Sequence, residues 1–441
     1  MSAEAIIERL MTLHPKGYDL SLTRISGLLE RLGNPQDNLP PVIHIAGTNG
    51  KGSASAFCRA LLEAGGFTCH SHTSPHLVRW HERFRVGADG GSQFVDDAML
   101  AEVLHRVEAA NAGAAITVFE ILTAAMFLLF AEQPADAAII EVGLGGRFDA
   151  TNVVAKPAVC LVMPIAFDHM AFLGNTIDKI AFEKAGIFKR GCPAVIGQQG
   201  FELARDTLED RARHVGARPI TVYGQDYLAF EEHGRMVYQD ENGLFDLALP
   251  VLAGRHQIAN AAAAIAAVKA AGFPVTQDIA ETAMQSVYWP ARMQAIKVGK
   301  LLDLAPDGTE LYVDGGHNPH AGTAIAEALV ALEEIKPRPL FLICGMLTTK
   351  EPRGYFEAFE GITRHVFTVP ITGSEAGYDP EILADLAMDA GLSAEAAASP
   401  EAVLLMLRDQ WNGLEQAPRI LIGGSLYLAG AVLDANGTPP V

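Results

Sequence analysis

The stretch that decides the fold is His44–Ser53, which reads HIAGTNGKGS. The apolar run 41–46 predicts a β-strand, and apolar residues at helical spacing over 57–64 predict a helix directly after the loop. A glycine-rich loop between a strand and a helix is the setting of a phosphate site, because N–H groups of the loop and of the helix N-terminus point at the anion. The sequence therefore predicts a phosphate-binding loop here.

The side chains of this loop match the standard pattern only in part. Lys51 would bring a positive charge to the phosphates, and Ser53 could ligate Mg²⁺. The loop departs from G-x-x-x-x-G-K-[ST], since Ile45 stands in place of the first glycine and Gly52 follows the lysine. Taken alone, the stretch leaves an ordinary glycine turn at a helix start as the alternative.

Composition limits the classes of protein and partner. The chain has 441 residues, 49% of them hydrophobic, and a net charge of −19 at pH 7. These values are typical of a folded protein of two or three domains, and the negative charge argues against nucleic acid or an anionic membrane as a partner. Five widely spaced cysteines, no signal-peptide pattern and a longest apolar stretch of about half a membrane span indicate a cytoplasmic protein.

Apolar runs alternate with helical patterns along most of the chain. Continuous apolar strands, as at 137–142 and 158–165, are typical of a parallel sheet covered on both faces. We therefore predict an α/β protein with a P-loop-type, mostly parallel sheet domain over 1–295 and a smaller, Rossmann-like α/β domain over 296–441. Short alternating segments predict a small antiparallel β insert at about 220–250. The strands expected in the second domain are 310–314, 339–344, 364–369 and 419–422.

Polar residues gather where the predicted strands end. Ser74, Glu141 and His169 each follow a predicted strand, as the loop 47–53 does. Ligands of parallel sheets lie beyond the carboxyl ends of the strands, and a glutamate that ends a buried strand is costly unless it is paired or bound to a metal. An ATP site would explain this group, because Mg²⁺ takes oxygen ligands.

Several other residues have ordinary structural explanations. Glu120 lies three residues after a threonine, which is the spacing of a helix capping box. Lys184 lies near a predicted apolar surface and could keep its ammonium group in water. The basic cluster of Arg79, Arg83 and Arg85 fits a solvated strand face as well as a surface that binds substrate.

Six motifs follow one another in a recognisable order. They are GTNGKGS at 47–53, TSPHL at 73–77, EVGLGGRFDATN at 141–152, DH at 168–169, EKAGI at 183–187 and HNP at 317–319. Together they resemble the folylpolyglutamate synthase/dihydrofolate synthase family of Mur-ligase-like, ATP-dependent amide ligases, in its bacterial bifunctional type. The loop would fit any Mur-type ligase, whereas the blocks at 73–77 and 141–152 are particular to the folate branch.

The resemblance implies an enzyme of folate biosynthesis and one-carbon metabolism. Such a ligase uses ATP to phosphorylate the carboxylate of dihydropteroate or of a reduced folate. The amine of L-glutamate then attacks the acyl phosphate and gives an amide, ADP and phosphate. The implied partners are therefore small molecules, with ATP as a substrate and two Mg²⁺ ions, and the implied state is a cytoplasmic monomer.

The resemblance also implies roles for individual residues. Lys51, His169 and Lys184 would be catalytic, and Lys184 matches a lysine that the family carbamylates. The implied nucleotide-binding residues are Thr48, Asn49, Gly50, Lys51, Gly52, Ser53, Asn260, Arg292 and Asp314. The implied metal ligands are Ser74, Glu141, His169 and carbamylated Lys184. The implied pterin or folate contacts are Arg24, Phe119, Phe148, Asp149 and Ala150, and the implied glutamate contacts are His317 and Ser425.

One detail of the implied nucleotide site concerns the domain junction. The predicted boundary at 295 places Arg292 and Asp314 on opposite sides of it. The segment Trp289–Arg292 reads WPAR where some members of the family carry LPGR. The chain thus has Ala291 at a position that is glycine in those members.

Three alternatives stay open at this stage. The enzyme could be a folylpolyglutamate synthase only, or another Mur-type amino-acid ligase, although a loop that begins by residue 47 leaves little room for a domain that holds a sugar nucleotide. A non-catalytic nucleotide-binding module or a motor-type ATPase is the third. It is disfavoured by the complete set of candidate catalytic and metal-binding residues, which are Lys51, Ser74, Glu141, His169 and Lys184.

Overall fold

The chain forms two compact units in the computed structural model, which describes residues 2–14, 21–372, 376–411, 413 and 416–440. The first unit consists of Met1–Pro75, Trp80–Val251 and Ile258–Tyr288. The second consists of His76–Arg79, Leu252–Gln257 and Trp289–Val441. The division therefore falls between Tyr288 and Trp289, earlier than the boundary expected at 295, and Arg292 and Asp314 both belong to the second unit. The expectation that these two residues straddle the junction is wrong.

An eight-stranded sheet forms the centre of the first unit. Its strands are β1 (Val42–Ala46), β2 (Cys69–His72), β3 (Phe84–Ala88), β4 (Gly91–Phe94), β5 (Ala137–Glu141), β6 (Val159–Val162), β7 (Ala194–Ile196) and β8 (Ile220–Val222). Their order is β4-β3-β2-β5-β1-β6-β7-β8. The pairings from β2 to β8 are parallel, whereas β3 is antiparallel to both of its neighbours, β2 and β4. These pairings confirm the predicted mostly parallel sheet, and its central strands β1, β5 and β6 are fully buried, as parallel strands covered on both faces are.

Ten helices lie in the described part of this unit, and one of them, α9, begins in a segment of the second unit. They are α1 (Ala3–Met11), α2 (Thr23–Arg31), α3 (Lys51–Ala64), α4 (Asp97–Asn111), α5 (Val118–Glu132), α6 (Met170–Leu173), α7 (Ile177–Lys184), α8 (Glu202–Val215), α9 (His256–Ala270) and α10 (Gln277–Ser286). One core lies among α1, α2, α4, α5 and the sheet, and another lies among α7, α8 and the sheet. Thr117 and Glu120 form the expected capping box at the start of α5. None of the described helices is long and apolar enough to cross a membrane.

The predicted β insert is a separate three-stranded antiparallel sheet. Its strands are β9 (Tyr227–Glu232), β10 (Arg235–Asp240) and β11 (Gly243–Ala248), with β10 in the middle. The first segment of the predicted insert, β8, instead pairs with β7 in the large sheet. An ion pair between Lys269 of α9 and Asp240 of β10 ties the insert to the rest of the unit.

The second unit is a smaller α/β sheet with the expected strands. Its strands are β12 (Gln294–Ile296), β13 (Glu310–Val313), β14 (Leu340–Cys344), β15 (His365–Thr368), β16 (Ala394–Ala396) and β17 (Arg419–Gly423). Their order is β12-β13-β17-β14-β15-β16, parallel except for β12. The helices described here are α11 (Pro319–Ile335), α12 (Pro352–Glu357), α13 (Pro380–Asp389), α14 (Pro400–Gln410) and α15 (Leu426–Asn436). The two edge strands, β12 and β16, have three residues each and were not predicted.

A close approach inside the second unit gives the first testable expectation. A Cβ on Gly430 of α15 would lie 1.9 Å from the carbonyl oxygen of Leu77. We expect Gly430→Ala to lower the free energy of unfolding by about 1–3 kcal/mol, because segment 76–79 must move away from the helix. Urea unfolding measures the change.

The matched control is Gly27→Ala in α2. There the nearest neighbour of a new Cβ would be 3.7 Å away, so the substitution should raise stability by up to about 1 kcal/mol through helix propensity alone. A Gly430→Ala variant as stable as the wild type would contradict the packing argument.

Candidate active site

The loop 47–50 joins β1 to α3 and has a backbone that glycine makes possible. Gly47 has φ 149° and Gly50 has φ 81°. A Cβ on Gly47 would lie 2.6 Å from the Cβ of Met163, so no larger residue fits there. The amide of Thr48 donates to the carbonyl of Pro164 at 2.9 Å, which fastens the loop to the chain after β6. The loop amides and the N-terminus of α3 are thus held beside the end of the sheet, as a phosphate site requires.

Two lysines converge on this loop. The Lys51 ammonium donates to the carbonyl oxygens of Gly47 at 3.1 Å and of Thr48 at 3.2 Å. The Lys184 ammonium, from the end of α7, donates to the same Gly47 oxygen at 2.9 Å. The Oε1 atom of Glu141 lies 4.0 Å from the Lys51 Nζ. The loop therefore brings two positive groups and one carboxylate to the place where phosphates would bind.

Lys184 is buried. The alternative that its ammonium group lies in water at the surface is therefore wrong. Burial and, to a smaller extent, the charge of Lys51 lower the pKa of Lys184 from 10.5 to about 7, while Asp168 and Asp149 act in the opposite direction. At neutral pH a large fraction of this side chain is therefore an uncharged amine.

The predicted metal ligands from β2 and β5 lie at one edge of the sheet. β2 and β5 are parallel neighbours with His72 opposite Ile140. Ser74 lies two residues after the end of β2 and Glu141 is the last residue of β5, so both lie at that edge. Hydroxyl and carboxylate oxygens are the donors that Mg²⁺ prefers, with phosphate oxygens and waters to complete its shell. Within the described ranges, no three His, Cys, Asp or Glu side chains are grouped so as to hold a metal by themselves. The donors present thus fit a magnesium ion that is shared with a nucleotide.

His169 begins α6 with a left-handed backbone, φ 51°. Its Nε2 atom lies 3.9 Å from Asp168 Oδ2, and 44% of its side-chain surface is exposed. The imidazole is therefore accessible to solvent. The neighbouring Asp168 side chain is mostly buried, which orients the pair.

Asp149, expected on the pterin side, holds the loop after β5. One carboxylate oxygen accepts from the Leu144 amide at 2.9 Å, and the other accepts from the Thr151 amide at 3.0 Å and from the Thr151 hydroxyl at 2.5 Å. Burial raises the pKa of Asp149 above its usual value, against the effect of these hydrogen bonds. Both oxygens are thus occupied inside the loop. Ala150, the next residue, is buried.

The other residues expected on the pterin side are partly accessible. A Cβ on Gly143 would lie 2.4 Å from the ring of Phe119, so this aromatic side chain packs directly on the loop after β5. Phe148 is 36% exposed, and the guanidinium of Arg147 lies 4.6 Å from its ring centre. Arg24 forms an ion pair at 3.0 Å with Glu120 of the capping box.

Two further candidates for the nucleotide site lie close to the loop. The Oδ1 atom of Asn260 would be 2.8 Å from a Cβ on Gly50, so α9 approaches the loop where it has no side chain. Ser53 is buried in the first turn of α3. The remaining two, Arg292 and Asp314, lie in the second unit.

Arg292 is held by an unusual backbone. Ala291 and Met293 on either side of it have φ 53° and 43°, a left-handed conformation that glycine adopts more readily than either residue. Asp314 fixes this segment, since its carboxylate accepts from the amides of Met293 at 2.7 Å and Gly316 at 2.6 Å. Burial raises the pKa of Asp314, while the Arg292 charge lowers it.

The candidate glutamate contacts lie at the ends of neighbouring parallel strands. His317 follows β13 and uses Nδ1 to bond the Gly315 carbonyl at 2.9 Å. Ser425 follows β17 and caps α15, accepting from the Tyr427 amide at 3.1 Å. β13 and β17 are paired, so both residues lie at one rim of the second sheet.

Comparison with known proteins identifies the family. Residues 45–268 match the Mur ligase middle domain. The chain is 35% identical to the dihydrofolate synthase/folylpolyglutamate synthase of Haemophilus influenzae, over 85% of this chain and 84% of that protein. This chain belongs to the folylpolyglutamate synthase/dihydrofolate synthase family. It is an ATP-dependent amide ligase, as the motifs implied.

Solved structures of this family share the fold along the whole chain. Folylpolyglutamate synthase of Mycobacterium tuberculosis, complexed with ADP and AMPPCP, superposes with a TM-score of 0.85 at 30% identity and covers 100% of both chains. A bifunctional folylpolyglutamate synthase/dihydrofolate synthase with Mn, AMPPNP and L-glutamate bound has a TM-score of 0.83 at 26% identity, over 99% of this chain and 98% of that one. ATP and a divalent metal thus belong to the chemistry of this ligase family.

The contact between Lys184 and Gly47 was missed at the level of sequence. The pair is separated by 137 positions, and nothing in the helical pattern around Lys184 indicates which carbonyl its ammonium reaches. The order of the motifs was the signal that pointed to Lys184, because it indicated a catalytic lysine of a ligase and not a lysine on a solvated helix face.

The depressed pKa of Lys184 predicts a particular dependence of stability on pH. Its folded value of about 7 lies below the ordinary 10.5. Between these values the unfolded chain binds the extra proton, so the wild type gains stability as pH rises, by up to about 1.4 kcal/mol per pH unit. The free energy of unfolding of the wild type should therefore rise relative to that of Lys184→Met between about pH 7 and 10 in CO₂-free buffer.

Lys179→Met is the control, because Lys179 is an exposed residue of the same helix. Its difference from the wild type should stay constant over this range. A constant difference for Lys184→Met as well would show that the buried lysine titrates normally.

Proposed function

We propose that this enzyme joins L-glutamate to dihydropteroate and to reduced folates, with an acyl phosphate between the two steps. The observation that carries the proposal is the convergence of Lys51 and Lys184 on the glycine loop beside Glu141. A carboxylate is a poor electrophile, and transfer of a phosphoryl group gives it a leaving group. Catalysis of such a transfer consists mainly of positioning and charge neutralisation, and the Lys51 ammonium and the loop amides supply positive groups for both.

In the first step a carboxylate oxygen of the pteroate or folate bonds to the γ-phosphorus of ATP, and the bond from that phosphorus to the β,γ-bridging oxygen breaks to release ADP. In the second step the neutral amine of glutamate attacks the acyl carbon, the bond to the phosphate oxygen breaks, and the amine loses a proton. Lys51 and the amides of 48–53 would hold the β- and γ-phosphates. Asn260, Arg292 and Asp314 would contact the rest of the nucleotide.

Magnesium would be held by Ser74 and Glu141, with His169 and a modified Lys184 at a second position. The metal would neutralise the charge that develops on the transferred phosphoryl group. The oxygen donors present at the edge of the sheet support this assignment, since Mg²⁺ readily shares its shell with phosphates.

Lys184 would act as a carbamate. Its neutral amine adds to CO₂ with formation of an N–C bond and loss of one proton, which replaces a cation with an anion. The pKa of about 7 supports this step, because only the uncharged amine reacts. The remaining N–H can still donate to Gly47, and removal of a positive charge next to Lys51 relieves repulsion.

Two further sets of residues would bind the organic substrates. Phe119 and Phe148 offer aromatic surface for a pterin, and Arg24 a positive charge near its edge. Asp149 and Ala150 would act through the loop they belong to. His317 and Ser425 would bind the incoming glutamate at the rim of the second sheet.

We also propose that the enzyme works as a monomer in the cytoplasm. A monomer is the state that the resemblance to the family implies. The five cysteines are buried free thiols, which fits a reducing compartment.

The assignment predicts turnover of two acceptors. With ATP, Mg²⁺ and L-glutamate, the enzyme should release phosphate and form the amide product, seen by mass spectrometry, from dihydropteroate and from tetrahydrofolate. Glu141→Gln should reduce both rates together, because the carboxylate serves the shared phosphoryl transfer. Reactions without glutamate are the blank.

Each other pattern corrects the proposal in a defined way. Turnover of tetrahydrofolate alone removes the dihydrofolate synthase activity. Turnover of neither acceptor, together with ligation of an amino acid to a nucleotide-linked sugar peptide, overturns the folate assignment.

The carbamate gives a separate expectation. Lys184→Ala should lower kcat by roughly 100-fold or more, since it removes an anion from the metal shell. In ¹³C-bicarbonate the wild type should show a carbamate signal that Lys184→Ala lacks, whereas Lys179→Ala should retain both the signal and the rate. Full kcat in Lys184→Ala, or no carbamate signal in the wild type, would end this part of the proposal.

A further inference from the structure

A buried chain of hydrogen bonds runs from the centre of the large sheet to the loop after β5. His44, in the middle of β1, places Nε2 2.9 Å from the hydroxyl of Thr151. That hydroxyl lies 2.5 Å from Oδ1 of Asp149. All three side chains are buried, and His44 and Thr151 have no exposed surface at all.

The chemistry of these groups fixes which atom donates and which accepts in each hydrogen bond. The Asp149 carboxylate accepts, so the single proton of the Thr151 hydroxyl points to it. The hydroxyl must then accept from His44, which places the imidazole proton on Nε2. The other nitrogen, Nδ1, is buried with no hydrogen-bond partner among the described residues. Burial lowers the pKa of His44 to about 3, so the ring is neutral at working pH.

At the other end of this chain of hydrogen bonds, Asp149 holds the loop that follows Glu141. The second oxygen of Asp149 holds the amide of Leu144 at 2.9 Å. On one side of Leu144, Gly143 packs against the ring of Phe119. On the other side, a Cβ on Gly146 would lie 2.8 Å from the carbonyl oxygen of Lys184. A shift of this loop would therefore displace the aromatic surface and the lysine together.

The same loop is joined to α7 by further bonds. The amide of Arg147 donates to the carbonyl of Glu183 at 2.8 Å. The side-chain amide of Asn152 donates to the carbonyls of Arg147 at 3.0 Å and Gly186 at 3.1 Å. The loop is thus tied to α7 on this side. The hydrogen bonds from His44 through Thr151 and Asp149 tie it to β1.

We propose that His44 is a positioning residue for the ligation reaction, which it serves by donating through Thr151 to Asp149 and so fixing the loop 143–146 between Phe119 and Lys184. The proposal rests on the proposed function. His44 touches no reacting group. Its Nε2–H proton and the hydroxyl of Thr151 are the two features that the role requires.

Matched variants test each link. His44→Gln and Thr151→Ser keep the donors, whereas His44→Met and Thr151→Val remove them at similar volume. We expect kcat to fall about tenfold or more in the two variants without donors, because misplacement of groups around the reacting atoms is costly. The variants that keep the donors should stay within about threefold of the wild type, and KM for ATP should change little in any of them.

Two further comparisons separate positioning from loss of stability. His44→Met combined with Thr151→Val should be no slower than Thr151→Val alone, because both break one chain. His70→Met is the control, since His70 is a buried histidine of β2 that bonds Gln133 and Gly87 away from this loop. It should lower the melting temperature but keep kcat.

The wild type provides a test that needs no variant. Nitrogen NMR of labelled histidine should show His44 neutral, with its proton on Nε2, throughout the pH range in which the protein is folded. A proton on Nδ1 would overturn the proposal, as would kcat in Thr151→Val equal to that of the wild type. If the wild type ligates no glutamate, the proposed function fails. The tautomer of His44 measured by NMR still tests, independently of activity, whether His44 donates to Thr151.

Discussion

Two ammonium groups share one backbone carbonyl at the centre of this enzyme. The Gly47 oxygen accepts from Lys51 and from Lys184, and the two lysines come from different helices. Like charges repel most strongly where water is excluded, so this contact is stable only if one lysine gives up its proton or if anions arrive. Burial and the charge of Lys51 lower the pKa of Lys184 to about 7, which is the first of these two outcomes.

The second outcome is the binding of substrate. Phosphates bound at the loop and a carbamate on Lys184 would add negative charge close to Lys51, where the carboxylate of Glu141 already lies at 4.0 Å. The proposed nucleotide and carbamate would therefore balance the charge of the lysines. The loop after β5, which Asp149 holds, packs against both Phe119 and the backbone of Lys184.

Local patterns in the sequence were enough to predict the parallel strands, the glycine-rich loop between β1 and α3, and the capping box of Glu120, because each depends on neighbours along the chain. Contacts between distant segments were not predictable. The bond from Lys184 to Gly47 and the role of Asp149 inside its own loop needed the folded chain. Segment 76–79 belongs to the second unit although it follows a strand of the first. The boundary after Tyr288 is marked in the sequence only by the proline at 290.

The most direct test of this account is the titration of Lys184 itself. NMR of lysine labelled at Cε and Nζ, in CO₂-free buffer, should show one side chain that titrates at about 7 in the wild type. Lys51→Met removes the neighbouring charge, and the same signal should then titrate at a higher pH. A midpoint at the ordinary lysine value, or one that Lys51→Met leaves unchanged, would contradict the claim that the two ammonium groups are coupled through the loop.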